Sequence, residues 1–256
     1  MKMSGNSVWS NRAENVPFLP DFTDPRYVDE VGWFLYHEKY GRDEFGGSYD
    51  DERRAYSRLL LEEVTNYLGE KPIWLEDKTV VSIGCGCSGD LVTFPARVKI
   101  AIDPLLYVYQ QLGLLMPDEV GSPTVYLTVG AEELPLLSDY ADLVICRNAL
   151  DHMHNPAVAL KEMRRILNKE GALFLSVDLG GEPTPDEPTV FSSDSLEALL
   201  LQEQFEIVDS VRDEQPHSAW RPSSTRIMVR KKPQNGMTLD KEEILRRYTA
   251  RLGEHV

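Results

Sequence analysis

The sequence predicts an α/β fold in which helices cover both faces of a mostly parallel sheet. Short apolar segments alternate with longer amphipathic segments between residues 79 and 177, and turn-forming residues separate them. Parallel strands need such crossover segments, and right-handed crossovers place helices on both sides of the sheet. Two later apolar segments are joined by a connection too short for a crossover helix, so we expect that pair to be antiparallel.

The individual elements follow from periodicity and from start and stop residues. Strands are predicted for Thr79–Ile83, Val98–Ile102, Thr124–Val129, Ala141–Cys146 and Ala172–Val177, and the antiparallel pair for Phe205–Val211 and Arg226–Arg230. Helices are predicted for Asp50–Leu68, Pro104–Met116, Pro156 onward to a stop at Gly171, Ser195–Gln204 and a charged segment, Leu239–Leu252. Gly69 supplies a stop for the first helix, and Asn155 can cap the third.

Composition and charge exclude several classes of protein. The chain has 42 acidic and 27 basic residues, a formal net charge of -15 and 42% hydrophobic residues, which suits a folded protein rather than a disordered one. Three cysteines exclude a disulfide scaffold and favour a reducing cytoplasm. The acidic balance argues against nucleic acid as the main partner. We expect neither a membrane span, which needs ~20 apolar residues, nor a secretory leader.

A glycine-rich turn follows the first predicted strand. Gly84, Gly86 and Gly89 let the backbone turn sharply and approach a ligand closely. The next strand ends at Asp103, about 20 residues after Gly84, which is the spacing of a carboxylate that binds the ribose hydroxyls of an adenosine. A zinc site at Cys85 and Cys87 is not expected, because only one further cysteine is present.

With these motifs in order, the sequence resembles class I S-adenosylmethionine-dependent methyltransferases from about Lys78 to Lys232. The segment Val80–Asp90 resembles the cofactor loop of that family, and Asp103 matches its ribose-binding acid. Gly130–Pro135 resembles the stretch bordering adenine, and Ala141–Pro156 resembles the fourth strand and the active-site loop after it. The closing antiparallel pair is also typical of the family.

The resemblance implies a Rossmann-like, seven-stranded, mostly parallel sheet with a C-terminal antiparallel strand pair and an N-terminal helical cap. The implied units are an aromatic-rich cap or lid at 1–77, a cofactor-binding core at 78–232 and a C-terminal helix at 233–256. The implied cofactor is S-adenosylmethionine, held by Gly84, Cys85, Gly86, Gly89, Asp103, Pro104, Ala131, Glu132, Arg147 and Asn148. Two positions depart from the family pattern, where Ser82 and Gly130 replace acids.

The loop after the fourth strand holds the candidates for acceptor chemistry. His152 is the predicted general base, because an imidazole titrates near working pH, and Asp151 would orient it or bind a substrate hydroxyl. A structural role for His152, capping the next helix, is the alternative. The expected acceptor is a small molecule methylated on a hydroxyl, such as a sugar or another polyhydroxylated metabolite, although a nitrogen or carbon acceptor stays open.

Further residues could serve metal or substrate binding. No metal is the main expectation, and the alternative is a Mg²⁺ site at Asp151, His154 and Asp178 that would bind a vicinal diol. Substrate contacts are expected from the aromatic N-terminal segment, where His37 and Tyr40 are candidate lid residues, and from the loop 180–188. The connection before the last strand adds His217, Trp220 and Arg221 as substrate-binding candidates.

Other functional classes stay open at this point. A regulatory protein could keep the cofactor site without catalysis. A protein or nucleic-acid methyltransferase would need an open groove. A nicotinamide-dependent oxidoreductase shares the glycine turn and the acid, but the antiparallel tail and Gly130–Pro135 argue against it. The charged C-terminal helix offers a surface for a homodimer.

Overall fold

A computed structural model of the protein describes residues 25–40, 48–87, 89–213 and 223–232. Its centre is a seven-stranded sheet with the order β3-β2-β1-β4-β5-β7-β6. The strands are β1 (Thr79–Ile83), β2 (Val98–Ile102), β3 (Thr124–Leu127), β4 (Ala141–Arg147), β5 (Leu167–Leu179), β6 (Phe205–Asp213) and β7 (Ser223–Lys231). The first five strands pair in parallel, and β7 runs antiparallel to both β5 and β6. The predicted fold class is confirmed.

The middle of the sheet is occupied by the strand that carries the glycine turn. All five residues of β1 are buried, and β1 pairs with β2 on one side and with β4 on the other. Because β1 to β4 are parallel, the segments that follow them meet at one edge of the sheet. That edge is where the predicted ligand-binding residues come together.

Helices cover both faces of the sheet. They are α1 (Pro25–Tyr40), α2 (Tyr49–Leu68), α3 (Leu106–Gln111), α4 (Pro156–Ile166) and α5 (Ser193–Gln202), with short 3₁₀ helices at Pro72–Asp77 and Leu150–His152. Ser48 and Asp51 form a reciprocal capping box at the start of α2, and Gly69 ends this helix with a φ of 67°. None of the helices in the described ranges has the length and apolar character needed to cross a membrane.

The connection from β1 to β2 differs from the expected βαβ unit. Between them the described residues form turns rather than a helix, with bonds from Val92 N to Gly89 O (3.0 Å) and from Phe94 N to Leu91 O (3.1 Å). Leu91 and Phe94 are buried in one apolar cluster with Leu60 of α2. The face that a crossover helix would cover is therefore covered by α2, which comes from earlier in the chain.

The end of α4 also differs from the sequence prediction. The helix ends at Ile166, and β5 begins at once with Leu167 pairing to Ala141 before a register shift in the β4–β5 pairing. Gly171 lies within β5 instead of ending the helix. A Cβ there would lie 2.8 Å from Leu167 Cδ1 and 3.0 Å from Ala141 O, so the irregular pairing requires a residue without a side chain.

A fully buried lysine holds together the loops at the opposite edge of the sheet. Lys99 of β2 is 0% exposed, and its ammonium pairs with Asp118. The same group donates to Leu91 O (3.1 Å) and Val120 O (2.8 Å), so all three of its donors are used. This complete hydrogen bonding offsets the cost of removing the charge from water. No local sequence pattern marks Lys99 for this structural role, because the residue lies within a predicted strand.

Candidate active site

A cavity of about 220 Å³ opens at the carboxyl edge of the parallel strands. Its walls come from the segments after β1, β2, β3 and β4, from α1 and from the loop after β5. Ligands bind at this edge in open α/β sheets because the connections there leave a crevice. The cavity therefore combines residues that are far apart in sequence.

The glycine turn allows other parts of the protein to pack closely against it. A Cβ on Gly84 would lie 2.3 Å from the Cβ of Ala149, which follows β4. A Cβ on Gly86 would lie 2.7 Å from Cζ of Phe34 in α1. Both glycines also have positive φ, at 65° and 53°. The turn therefore needs glycine both for its backbone conformation and for contact with its neighbours.

Asp103 connects the glycine turn to the cavity. One of its carboxylate oxygens accepts from Gly86 N (2.9 Å) and the other from Leu105 N (2.8 Å). Burial raises the pKa of Asp103 to about 6, although the two backbone hydrogen bonds partly oppose the increase. The carboxylate lines the cavity at the tip of β2, in the position predicted for a ribose-binding acid.

The segment after β3 forms another wall of the cavity. Val129, Gly130, Ala131 and Glu132 all line it. Glu132 also accepts a hydrogen bond from Asn155 N (3.2 Å), and Asn155 caps α4 through Val158 N (3.2 Å). Glu132 therefore links this wall to the start of the helix after the active-site loop.

The predicted cofactor residues divide into two groups. Those that line the cavity are Gly84, Asp103, Pro104, Ala131, Glu132 and Asn148. Those that do not are Cys85, Gly86, Gly89 and Arg147, of which the first three line a separate small recess of about 10 Å³. Only part of the glycine turn therefore faces the cavity, and the assignment of these four residues to the cofactor stays a prediction.

Arg147 is held away from the cavity by other side chains. Its guanidinium pairs with Asp90 (Nη2 to Oδ1, 3.2 Å) and lies 5.7 Å from the centre of the Tyr56 ring. Asp90 also accepts a hydrogen bond from Ser82 Oγ (3.0 Å). Ser82, at the position where the family has an acid, therefore contacts a buried carboxylate supplied by the glycine turn.

Glu30 of α1 is a cavity residue that sequence reasoning missed. It lines the cavity together with Tyr27 of the same helix. Burial raises the pKa of Glu30 to about 7, with nearby Asp103 and Asp186 adding to the increase and His152 opposing it. The aromatic N-terminal region shows no clean period in sequence, so no signal there distinguished Glu30 from a solvent-facing acid.

Sequence reasoning also missed Arg53 of α2, whose guanidinium binds the backbone of the glycine turn. Its guanidinium donates to Cys87 O (2.7 Å) and to Leu114 O (2.6 Å), and the residue is 5% exposed. The helical pattern placed Arg53 among the polar positions of α2. Only packing shows that it joins α2, the glycine turn and the segment after α3.

The 3₁₀ turn after β4 presents the predicted catalytic pair. Asp151 is 1% exposed, and burial raises the pKa of its carboxyl to about 6. His152 lines the cavity, and its Nε2 lies 4.0 Å from Asp151 Oδ1, which is too far for a hydrogen bond. Neither oxygen of Asp151 nor the Nε2 of His152 has a hydrogen-bond partner in the described part of the chain.

The alternative metal set predicted from sequence is replaced by a different one. The structure does not gather Asp151, His154 and Asp178 within mutual ligand distance, but it does gather Asp151, His152 and Glu187 within 4.8 Å. The reason is local, because the 3₁₀ turn ends at His152 and Met153 continues in an extended conformation, which carries the exposed His154 away from Asp151. Glu187 comes from the loop 180–188, which also contributes Asp186 to the cavity wall.

The remaining residues predicted from sequence are not among the described residues that line the cavity. His217, Trp220, Arg221 and the C-terminal helix lie outside the described residues, whereas His37 and Tyr40 lie on α1. The three cysteines are buried and free of disulfides. Burial raises the pKa of Cys87 to about 12 and also raises those of Cys85 and Cys146, so these sulfurs are thiols at neutral pH.

Comparison with known proteins identifies related sequences over the middle of the chain. Residues 81–175 match a family model described as a methyltransferase domain. The tRNA U34 carboxymethyltransferase of Campylobacter hominis is 32% identical over 104 residues, covering 40% of this chain and 36% of that protein. The enzyme of the same name from Campylobacter lari is 27% identical over 111 residues, covering 41% and 38%. The chain thus spans well under half the length of these relatives.

Solved structures share the fold over a longer stretch. The 1,6-didemethyltoxoflavin-N1-methyltransferase of Burkholderia thailandensis, solved with S-adenosylhomocysteine, has a TM-score of 0.53 at 19% identity and covers 84% of this chain and 92% of its own. The cyclase SpnF has a TM-score of 0.53 at 16% identity, covering 69% and 80%. Because one fold serves a methyltransferase and a cyclase, these likenesses concern architecture alone. Residues 81–175 therefore match a methyltransferase domain, and the strand order and the acid at the tip of β2 agree with the Rossmann-like fold of class I S-adenosylmethionine-dependent methyltransferases.

Proposed function

We propose that the protein transfers a methyl group from S-adenosylmethionine to a hydroxyl of a small molecule. The observation that carries this proposal is the single cavity shared by Asp103, at the predicted cofactor end, and His152, at the predicted acceptor end. When bound, S-adenosylmethionine would supply an activated methyl group on a positively charged sulfur.

The cavity residues suggest how the cofactor would be held. Asp103 would accept hydrogen bonds from the ribose hydroxyls, and Ala131 and Glu132 would border the adenine ring. Gly84 would allow close approach of the backbone, and Asn148 would face the methionine part. Asn148 has an unusual φ of 48°, and its Oδ1 has no hydrogen-bond partner within the described residues, which supports a role in ligand binding.

Glu30, on helix α1 of the predicted cap, is a further candidate for holding the cofactor. The family acid in the first strand is replaced here by Ser82, which contacts Asp90. We propose that Glu30 supplies a carboxylate for the cofactor from α1 instead. Contact of Phe34 with the glycine turn would fix α1 at this place, so residues 1–77 would act as a cap over the 78–232 core and exclude water from the reaction.

At the acceptor end, the chain would orient a hydroxyl and remove its proton. Alignment of two bound reactants can contribute ~7–11 kcal/mol in favourable systems. The predicted role of His152 as general base is supported by its position in the cavity wall and by its unpaired Nε2 in the described part of the protein. Asp151 would act nearby through its charge, because the 4.0 Å separation from Nε2 leaves no direct hydrogen bond.

The charge of the cavity supports a small acceptor over nucleic acid. The charged side chains that line its described part are Glu30, Asp103, Glu132 and Asp186, with no lysine or arginine among them. Phosphates and carboxylates are usually bound by lysine or arginine. The chain as a whole carries a net charge of -15, which acts in the same direction.

A second candidate function is transfer of a methyl or carboxymethyl group to tRNA, which the names of the Campylobacter relatives suggest. A carboxymethyl group is anionic, as is the tRNA backbone, and the acidic cavity disfavours both. A non-catalytic, cofactor-binding protein is a third candidate. The cytoplasmic location remains a prediction that rests on the cysteine count.

These candidates can be separated with two measurements on the full chain. Calorimetric titration with S-adenosylhomocysteine should show binding at one site, and absence of binding would overturn the proposal. Methyl transfer from radiolabelled S-adenosylmethionine should then be assayed with polyhydroxylated and phenolic small molecules and with total tRNA. Label in the small-molecule fraction alone supports the proposal. Label in tRNA favours the second candidate, and binding without any transfer favours the third.

A further inference from the structure

Three possible metal ligands meet where the active-site turn contacts the loop after β5. One atom each from Asp151, His152 and Glu187 lies within 4.8 Å of the other two. Asp151 and Glu187 are 1% and 5% exposed, so two carboxyl groups share a site almost closed to solvent. Two carboxylates brought together in this way repel each other unless a positive charge lies between them.

The side chain of Asp151 points to a missing ligand. Both of its oxygens are buried without a hydrogen-bond partner within the described ranges, and so is Nε2 of the adjacent His152. Buried polar groups in native proteins are almost always paired, and an unpaired buried carboxylate is among the most costly exceptions. The unpaired atoms therefore mark a place where a positively charged ligand would contribute strongly to stability.

The backbone holds these residues in a defined arrangement. Thr189 N donates to the carbonyl of Asp151 (3.3 Å), which joins the two ligand-bearing segments. Thr184 and Glu187 form a turn in which Thr184 N donates to Glu187 O (3.1 Å) and Glu187 N donates to Thr184 Oγ1 (3.0 Å). Gly180 N donates to Phe191 O (2.8 Å) and closes the loop at its base. The site thus rests on a closed loop and a short helix.

The chemistry of the three groups selects the kind of ion. Oxygen ligands alone would favour Mg²⁺ or Ca²⁺, whereas an imidazole together with carboxylates suits Mn²⁺ or Zn²⁺. Metal–ligand bonds of ~2.1 Å place two ligands of a tetrahedral ion ~3.4 Å apart. Because the three ligand atoms lie within 4.8 Å of one another, the side chains would have to close by up to about 1.4 Å around the ion. Three protein ligands leave further positions open on the ion, as in catalytic metal sites.

We propose that Asp151, His152 and Glu187 bind a divalent transition-metal ion of the Mn²⁺ or Zn²⁺ type at the acceptor end of the cavity. Resting on the proposed function, this site would bind the acceptor hydroxyl at an open position and lower its pKa, so that the proton is lost to solvent before methyl transfer. His152 would then be a ligand rather than a general base, because its nitrogen cannot hold the ion and accept a proton together.

Metal binding can be measured without turnover. The full chain, purified with a chelator, is titrated calorimetrically with MnCl₂ and ZnCl₂, and bound metal is counted by mass spectrometry after gel filtration. We expect one ion per chain for the wild type. His152→Gln and Glu187→Gln should weaken binding at least about 10-fold. Glu197→Gln, which removes an exposed acid from α5, is the matched control and should bind as the wild type does.

The variants also separate this site from the ligand set predicted from sequence. His154→Gln should retain the ion, and loss of binding in that variant alone would overturn the assignment to His152. Asp151→Asn should abolish metal binding and raise the melting temperature of the metal-free protein, because it removes an unpaired buried charge. A lower melting temperature together with unchanged metal binding would overturn the proposal.

S-adenosylhomocysteine binding distinguishes failure of the metal site from failure of the proposed function. It should be the same with and without chelator, because Asp103 and the glycine turn contribute none of the three ligands. Cofactor binding without any metal binding would overturn the metal site and leave the methyltransferase assignment intact. Metal binding without cofactor binding would overturn the proposed function alone.

Discussion

Replacement of Asp103 by asparagine should stabilise the free protein while it weakens cofactor binding. Burial raises the pKa of Asp103 from 3.8 to about 6, which corresponds to about 3 kcal/mol against the charged form above pH 6. Asparagine can accept only one of the two hydrogen bonds from Gly86 N and Leu105 N, and the lost bond costs about 1 kcal/mol. We therefore expect a net stability gain of about 1–2 kcal/mol at pH 8, measured by urea unfolding without ligand.

The same change should reduce the affinity for S-adenosylhomocysteine. A hydrogen bond to a charged acceptor contributes about 1.5–3 kcal/mol, so loss of the carboxylate predicts roughly 10- to 100-fold weaker binding by calorimetry. Asp139→Asn is a suitable control, since Asp139 is exposed and pairs with Lys231 away from the cavity. Unchanged affinity in Asp103→Asn would refute the assignment of this carboxylate to the ribose.

The pH dependence of stability and of cofactor affinity provides an independent check on the direction of these two effects. The folded-state pKa is above the unfolded one, so free wild-type protein should gain stability as pH falls from about 6 toward 3.8, because the folded state then takes up the proton first. The affinity for S-adenosylhomocysteine should fall over the same pH range, by up to about tenfold per pH unit. The reason is that only the charged carboxylate accepts hydrogen bonds from both ribose hydroxyls. The titration of Asp103 is also coupled to the charges of His152, Asp90 and Glu30. The part of the pH dependence that disappears in Asp103→Asn is therefore the contribution of Asp103 itself.

Three further predictions concern the cap and the buried lysine. Glu30→Gln should weaken S-adenosylhomocysteine binding about 10-fold and remove the part of its pH dependence near 7, and an unchanged titration curve would exclude Glu30 from the site. Gly86→Ala should lower stability by about 1–3 kcal/mol, because its Cβ would lie 2.7 Å from the Phe34 ring, and Phe34→Leu in the same chain should restore part of this loss in urea unfolding. Lys99→Met should cost about 3 kcal/mol, because Asp118 would lose its ion-pair partner and keep only its hydrogen bonds from Thr124. Lys78→Met, at an ion pair with exposed Asp77, should cost under about 1 kcal/mol.

Local sequence signals determined much of the sheet. The bounds of β1 and β2 agree with the predicted ones, since a run of buried β-formers is specified by neighbouring residues. The antiparallel pairing of β6 and β7 also followed from a local property, the length of their connection. Gly84 and Asp103 were predicted from the glycine-rich turn and from the spacing of the acid after it, and both line the cavity at the tips of adjacent strands.

Signals that depend on packing were missed or misplaced. The β1–β2 connection lacks the expected helix because α2 covers that face, and no local pattern records which distant helix will do so. Arg147 was assigned to the cofactor from its place after β4, but its guanidinium is bound by Asp90 of the glycine turn. In both cases the partner lies more than thirty positions away, since Leu60 packs with Leu91 and Arg147 pairs with Asp90.

The sequence by itself determined the fold class, the glycine turn and the acid at the tip of β2, because these depend on periodicity and short spacing. Only the tertiary structure decided that Glu30 faces the same cavity as His152 and that Glu187 joins Asp151 in a closed site. These residues lie in segments whose relative positions are set by core packing. Their meeting depends on many weak contacts at once, and no short stretch of sequence encodes it.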